Sequence, residues 1–201
     1  MEFESQRYAF EIPTIPSDEA VATHDLVLFF HRLIQERSLA ETCVDVADYS
    51  HVPGGPGVLL VCHEAHYSLT RPFRSGGSGA LALRCSTKRG AEGDTRARLR
   101  RVLHKTLRAA ALVESHPALG GPEKGRVKLD TTRATFSIED RLIAPNEPAT
   151  FDAVAPALAD VIGRVWGAAP VLTFAGAAKS CFQVEIATSI GPSIEDLLSR
   201  I

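Results

Sequence analysis

The sequence predicts an α+β fold: a mainly antiparallel sheet with helices packed on one face. Segments with strand periodicity come in adjacent groups instead of alternating singly with helices, which favours antiparallel pairing over a doubly wound parallel sheet. Three longer segments repeat apolar residues at helical spacing. Because 201 residues are enough to bury a self-sufficient core, we expect one α+β domain over residues 1–201.

The first half of the chain predicts one helix and four strands. Residues 7–12 alternate aromatic and polar side chains and end at Pro13, which suggests a short edge strand. Ser17, Asp18 and Glu19 would cap a helix whose apolar positions continue to about Leu39. Three strands should then form a meander, the first two joined by a Pro-Gly turn: residues 43–52, 58–69 and 80–86.

The second half alternates helices with further strands. Asp94 or Thr95 would cap a second helix that ends near Ser115, and a third helix begins after Pro148 and stops at Gly167. The strands predicted around them are residues 126–130, 133–138, and 171–174 continued by 181–187 as one interrupted strand. Residues 193–201 close the chain with a short helix.

Potentially reactive side chains concentrate in the hairpin of residues 43–69. Period-two alternation along residues 58–69 separates an apolar face, which includes His63, from a face that turns polar at Cys62. If the turn places His51 opposite Val58, then Asp45 lies opposite Glu64, and Cys43 lies opposite His66. The predicted polar face therefore gathers Cys43, Asp45, Cys62, Glu64 and His66.

This predicted cluster has two functional interpretations and one structural interpretation. Glu64 and His66, with Asp45 or Cys43 as a third ligand, offer the mixed donor set that zinc or another transition ion accepts. Without metal, the facing carboxylates would raise one pKa and leave Asp45, Glu64 and His66 as acid/base candidates. An ordinary polar surface explains the same residues, and it is the interpretation we favour. We expect no cofactor, and His63 fits a hydrogen-bonded core position.

Charge is segregated along the chain. Residues 84–108 hold nine Lys and Arg against two acids, so this segment carries +7 and the remainder carries −9. The second helix supplies the candidate partner-binding residues, which are Arg98, Arg100, Arg101, Lys105 and Arg108. They would pair with the acidic residues 1–48, which hold ten acids and three basic residues, or bind an acidic protein partner. Nucleic acid is a weaker third interpretation, because few aromatic residues flank the helix.

Several classes of protein are disfavoured by what the sequence lacks. No phosphate-binding glycine loop, nucleophile elbow or spaced Cys/His zinc framework occurs. No apolar run approaches the roughly 20 residues of a membrane span, and the N-terminus is acidic, so we expect a cytoplasmic protein. The four cysteines form no Cys-x-x-Cys pair, and we expect them to be reduced thiols.

Two stretches, residues 46–67 and residues 139–146 (Glu-Asp-Arg-Leu-Ile-Ala-Pro-Asn), resemble an uncharacterised bacterial protein family. The resemblance implies a bacterial origin but brings no activity, cofactor or catalytic residue. Our leading hypothesis is a cytoplasmic binding module or complex subunit that engages a protein partner or associates with itself. The alternative is a small enzyme that uses Asp45, Glu64 and His66.

Overall fold

The computed structural model describes residues 7–16, 21–70, 81–88, 93–119, 127–176 and 180–201. Across these ranges, eight strands form one antiparallel sheet and four helices pack on one of its faces, which confirms the α+β prediction. The strands are β1 (Tyr8–Pro13), β2 (Cys43–Tyr49), β3 (Gly57–Cys62), β4 (Ala65–Thr70), β5 (Ala82–Thr87), β6 (Arg133–Ile138), β7 (Val171–Phe174) and β8 (Phe182–Ala187). The helices are α1 (Thr23–Gln35), α2 (Thr95–Ser115), α3 (Pro148–Trp166) and α4 (Ile194–Arg200), with a 3-10 turn at Pro117–Leu119.

The strand order β2-β3-β4-β5-β1-β6-β8-β7 places the N-terminal strand in the middle of the sheet. The prediction that β1 is an edge strand was wrong, because β1 pairs with β5 on one side and with β6 on the other. Tyr8, Phe10 and Ile12 are almost fully buried on its helix-covered face. Pro13 is tolerated because it is the last residue of the strand, where a missing N–H costs little.

The predicted single strand over residues 58–69 is in fact the hairpin β3–β4, with His63 and Glu64 in its two-residue turn. Asp45 therefore lies opposite Val61, and Cys43 opposite Cys62, with a bulge between Cys43 and Asp45. This overturns the predicted register, in which Glu64 and His66 faced these residues. His63 is exposed in the turn and is not a core histidine.

Two other strand predictions also needed correction. The predicted interrupted strand is a second hairpin, in which β7 and β8 run antiparallel. Of the predicted strand 126–130, residues 127–130 are described and form one isolated bridge, between Leu129 and Thr14. A turn over residues 141–143 follows the end of β6.

Residues that favour helix ends mark the boundaries of three of the four described helices. The carboxylate of Asp94 accepts a hydrogen bond from the Ala97 amide at 2.8 Å and caps α2, as predicted. Helix α3 begins at Pro148 and ends at Gly167 with φ 76°, the left-handed cap that glycine favours. Ser193 caps α4. Helix α1 starts at Thr23 without a side-chain cap; the predicted cap residues 17–19 lie outside the described residues.

One continuous hydrophobic core lies between the four helices and one face of the sheet. Helix α2 crosses the centre and packs against β1, β5, α3 and α4, while α1 covers β2 and β3. Trp166 is 1% exposed, and its indole N–H donates to the Thr131 carbonyl at 2.7 Å, so its single polar atom is satisfied. Within the described ranges, no helix is long and apolar enough to cross a bilayer.

Candidate functional site

The three acid/base candidates do not share a site. Asp45 and His66 lie on the sheet face opposite the described helices, but Val61 of β3 lies between them in the ladder. Two strand spacings of about 4.8 Å therefore separate their backbones. Glu64 lies in the β3–β4 turn and points to the helices, where its carboxylate contacts Lys105 Nζ at 3.0 Å.

The predicted metal ligands are likewise divided between the two faces. Cys43 forms a disulfide with Cys62 on the helix-covered side, so the prediction of four reduced thiols was wrong for this pair. Cys85 is a buried free thiol and Cys181 a half-buried one. In the part of the chain that the structure describes, no three His, Cys, Asp or Glu side chains are grouped to hold a metal ion. Because disulfides are rare in a reducing cytoplasm, this pair does not favour the predicted cytoplasmic location.

His66 is the reactive candidate with the most distinctive environment. Its Nδ1 atom is buried and has no hydrogen-bond partner among the described residues. Burial, followed by the nearby charge of Lys88, lowers the pKa of His66 below its ordinary value. The side chain is therefore a neutral imidazole at pH 7, opposite Ser86 of β5.

A polar network of four hydrogen bonds surrounds Glu41, a residue that the sequence patterns did not single out. Its side chain is 2% exposed. One carboxylate oxygen accepts from the amides of Glu64 and Ala65 at 2.8 and 3.0 Å, and the other accepts from the Tyr67 hydroxyl and Lys105 Nζ, both at 2.7 Å. Through these hydrogen bonds, one carboxylate connects the segment before β2 with β4 and its preceding turn and with helix α2.

The pKa values of this network follow from burial and pairing. Burial alone would raise the pKa of Glu41, but hydrogen bonds from Lys105, Tyr67 and the Glu64 amide outweigh it and hold the pKa below its ordinary value. Burial alone would lower the pKa of Lys105, and the same contacts with Glu41 and Glu64 raise it instead. Both groups are therefore charged at pH 7.

The basic residues of α2 divide into two groups. Lys105 binds Glu41 and Glu64, so the predicted pairing with the acidic N-terminal region is observed at one position. Arg100 donates to the Ile201 carbonyl at 3.0 Å, and Arg98 is half-buried beside Tyr8. Arg101 and Arg108 are exposed and have no ion pair within the described residues.

The sheet face on which none of the described helices packs, called here the open face, carries a groove of about 810 Å³. Successive strands align one transverse row of polar side chains along the groove floor. The row reads Ser68, Arg84, Glu11, Thr135, Glu185 and Thr173, from β4 across β5, β1, β6 and β8 to β7. All six residues line the groove.

Arg84 is the fixed charge at the centre of this row. Its guanidinium contacts Glu11 at 3.4 Å and Glu139 at 3.0 Å, and it donates to the Ser137 hydroxyl at 2.9 Å. The side chain is 22% exposed, so three partners hold it against the sheet. Arg84 therefore presents a rigid planar surface to the groove.

The β2–β3 turn forms one wall of the groove. Gly54, Gly55 and Pro56 line it, and the Thr70 hydroxyl donates to the Gly55 carbonyl at 3.3 Å, which holds the turn over the open face. Val171 and Ala175 form the opposite side. The Pro-Gly turn that forms the wall could be predicted from the sequence. The strand order that assembles the floor could not.

Comparison with known proteins adds no assignment to this geometry: no protein-family model matches the chain, and no curated protein matches it significantly.

Proposed function

We propose that the protein is a non-catalytic binding module whose binding site is the groove on the open face of the sheet. The observation that carries this proposal is the division of the sheet, with helices on one face and a groove of about 810 Å³ on the other. The separation of Asp45, Glu64 and His66 also favours binding over acid/base catalysis. A bacterial origin is part of the proposal and rests on the resemblance alone.

The length of the groove favours a polypeptide as the ligand. The row from Ser68 to Thr173 crosses six strands. Five spacings of about 4.8 Å give a floor of roughly 24 Å, which is the length of about seven extended residues. A compact small molecule would occupy one part of that floor. An extended peptide would use the whole row, because its backbone matches the hydroxyl and charged groups presented there.

The charges of the groove favour a basic side chain in that peptide. Arg84 already contacts Glu11 and Glu139, and Arg133 contacts Asp130 at 2.8 Å. Glu185 is exposed and has no opposite charge within 4 Å among the residues that the structure describes. A Lys or Arg of the ligand would pair with Glu185 while its backbone bonds to the neighbouring hydroxyls.

Fluorescence anisotropy with three labelled heptapeptides tests the proposal. The peptides differ only at the central residue, which is Lys, Gln or Glu. We expect the Lys peptide to bind most tightly and Glu185→Gln to weaken its binding five- to tenfold, a loss of about 1–1.4 kcal/mol. The matched control is Glu195→Gln, which removes an exposed carboxylate from α4 on the helix side and should leave the affinity unchanged.

Two outcomes would contradict the groove as the binding site. Equal binding of the three peptides would show that its charge does not select the ligand. Equal losses in the Glu185→Gln and Glu195→Gln variants would show that only net charge matters.

A second candidate function is the binding of an acidic protein by the exposed side of α2. Arg101 and Arg108 lie two turns apart with His104 between them, and all three side chains are exposed. Slight desolvation of the imidazole, followed by the neighbouring charges of Arg108 and Lys105, lowers the pKa of His104, so the two arginines supply the positive charge of this stripe at pH 7.

Binding to a polyglutamate peptide over a range of salt concentrations tests this second function. We expect Arg101→Ala/Arg108→Ala to weaken binding about tenfold at low salt and to flatten the salt dependence. The control Arg141→Ala/Arg164→Ala removes two other exposed arginines and matches the change in net charge. Equal losses in the two double variants would contradict a specific site. Tighter binding of a short DNA duplex than of polyglutamate would favour nucleic acid instead.

A further inference from the structure

The two outer strands of the sheet differ in whether they can accept another strand. At one end, β2 is interrupted by a bulge between Cys43 and Asp45 and carries the acidic side chains Asp45 and Asp48. Bulges and edge charges both oppose pairing with another chain. At the other end, β7 reads Val-Leu-Thr-Phe, with no charge and no register shift.

The register of β7 identifies the backbone groups at the outer edge of the described sheet. The Ala175 amide donates to the Gln183 carbonyl at 3.0 Å, and the same register pairs Thr173 with Glu185. Residues at alternate positions of an antiparallel strand direct their N–H and C=O groups to opposite sides. Thr173 and Ala175 therefore bond to β8, while the backbone groups of Leu172 and Phe174 point away from the sheet.

We propose that two copies of this chain associate through β7, so that their sheets become one continuous antiparallel sheet about a two-fold axis. A second copy is the partner that this edge fits, because an uncharged strand can lie beside itself without like-charge repulsion. The two Asp residues of β2 would create that repulsion at the other end of the sheet.

A register centred on Thr173 satisfies the exposed groups within the four residues of β7. With Thr173 opposite its symmetry mate, Leu172 of each copy exchanges two hydrogen bonds with Phe174 of the other copy, which gives four in total. Centring the pairing on Leu172 would instead place Phe174 opposite Pro170, which has no N–H to donate. The Thr173 register also keeps both open faces on the same side, so the two grooves join.

The side chains of the two copies also pack favourably in this register. Leu172 and Phe174 are half-buried on the helix-covered side, and each would complete its burial against the other copy. Val171 is 67% exposed at the same edge. Because the shared strand is only four residues long, the association is expected in the micromolar range rather than as an obligate dimer.

Cysteine cross-linking tests the register directly. At a non-hydrogen-bonded pair on the two-fold axis, the two Cβ atoms lie about 4.5–5.5 Å apart, so Thr173→Cys should give a covalent dimer under mild oxidation. Val171→Cys is the matched control: it is an exposed neighbour on the same strand, but its two copies are separated by four residues, or about 13 Å. The unchanged chain measures cross-linking through its natural cysteines.

Sedimentation over a series of protein concentrations supplies an independent measurement. The unchanged protein should shift from monomer towards dimer as its concentration rises, and Thr173→Lys should abolish the shift by placing two ammonium groups together. Val44→Lys on the β2 edge is the control and should not alter it. A monomer at every concentration, or equal cross-linking of Thr173→Cys and Val171→Cys, would overturn the proposal without bearing on peptide binding in the groove.

Discussion

Replacement of Glu41 by alanine is expected to lower the free energy of unfolding by about 3–5 kcal/mol, the cost of breaking a buried ion pair from one side. The variant leaves four donors without their acceptor: the amides of Glu64 and Ala65, the Tyr67 hydroxyl and Lys105 Nζ. Tyr67 is 2% exposed and Ala65 is fully buried, so water cannot simply replace the carboxylate. Urea denaturation measures the loss.

The matched control is Glu64→Ala, which removes the other carboxylate that contacts Lys105. Because the Glu64 side chain is 63% exposed, its ion pair is screened by solvent, and we expect a loss of about 0–1 kcal/mol. The two variants thus remove carboxylates from the same lysine at different depths. Equal losses would contradict the central role of Glu41.

The same carboxylate should also shape the acid sensitivity of the protein. Because the pKa of Glu41 is lower in the folded chain than its ordinary value of 4.5, the stabilisation is complete above that pH. It is lost as the pH falls through the lowered pKa. The stability of Glu41→Gln should therefore fall less steeply with acidification below about pH 4.5 than that of the unchanged protein.

The repetitive elements of the fold could be predicted because local periodicity determines them. Helices α2 and α3 repeat apolar residues at helical spacing, and the strand groups follow one another without intervening helices. The central position of β1 could not be predicted in this way. It depends on pairing with β5 and β6, which lie about 70 and 120 residues further along the chain.

The error in the β3–β4 hairpin has a specific physical cause. Residues 58–62 are all apolar, so polar and apolar side chains do not alternate there and the stretch does not indicate which face is buried. Only Ala65, Tyr67 and Leu69 indicated a buried face. The turn residues His63 and Glu64 include no Gly, Pro, Asn or Asp to mark a reversal. Continuing the alternation of residues 65–69 back through the turn therefore assigned Leu59 and Val61 to the wrong face.

That single error misplaced the candidate site. Glu64 belonged to the turn, so the proposed cluster with Asp45 and His66 did not form. The structure instead groups Arg84, Glu11 and Glu139, which come from three strand regions far apart in sequence. The sequence did not identify Glu41 individually. The acidic character of residues 1–48 predicted pairing with the basic helix, and the ion pair of Glu41 with Lys105 is one such contact.

Gly57→Ala is expected to lower the free energy of unfolding by about 2–5 kcal/mol, from two separate costs. Gly57 has φ +68°, a left-handed conformation that costs roughly 1–2 kcal/mol for other residues. An added Cβ would also lie 2.5 Å from the Leu69 carbonyl oxygen and 2.8 Å from Thr70 Cα, so the backbone of β4 would have to move, at about 1–3 kcal/mol.

Gly54→Ala separates these costs within the same turn. Gly54 has a nearly identical φ of +71°, but an added Cβ would have no atom within 4 Å among the described residues, so we expect only the conformational cost of roughly 1–2 kcal/mol. Thermal or urea denaturation of the two variants measures the difference. Equal losses would show that backbone conformation, rather than contact with β4, makes Gly57 necessary. Because Thr70 holds the groove wall through Gly55, displacement of β4 by Gly57→Ala should also weaken binding of the Lys heptapeptide.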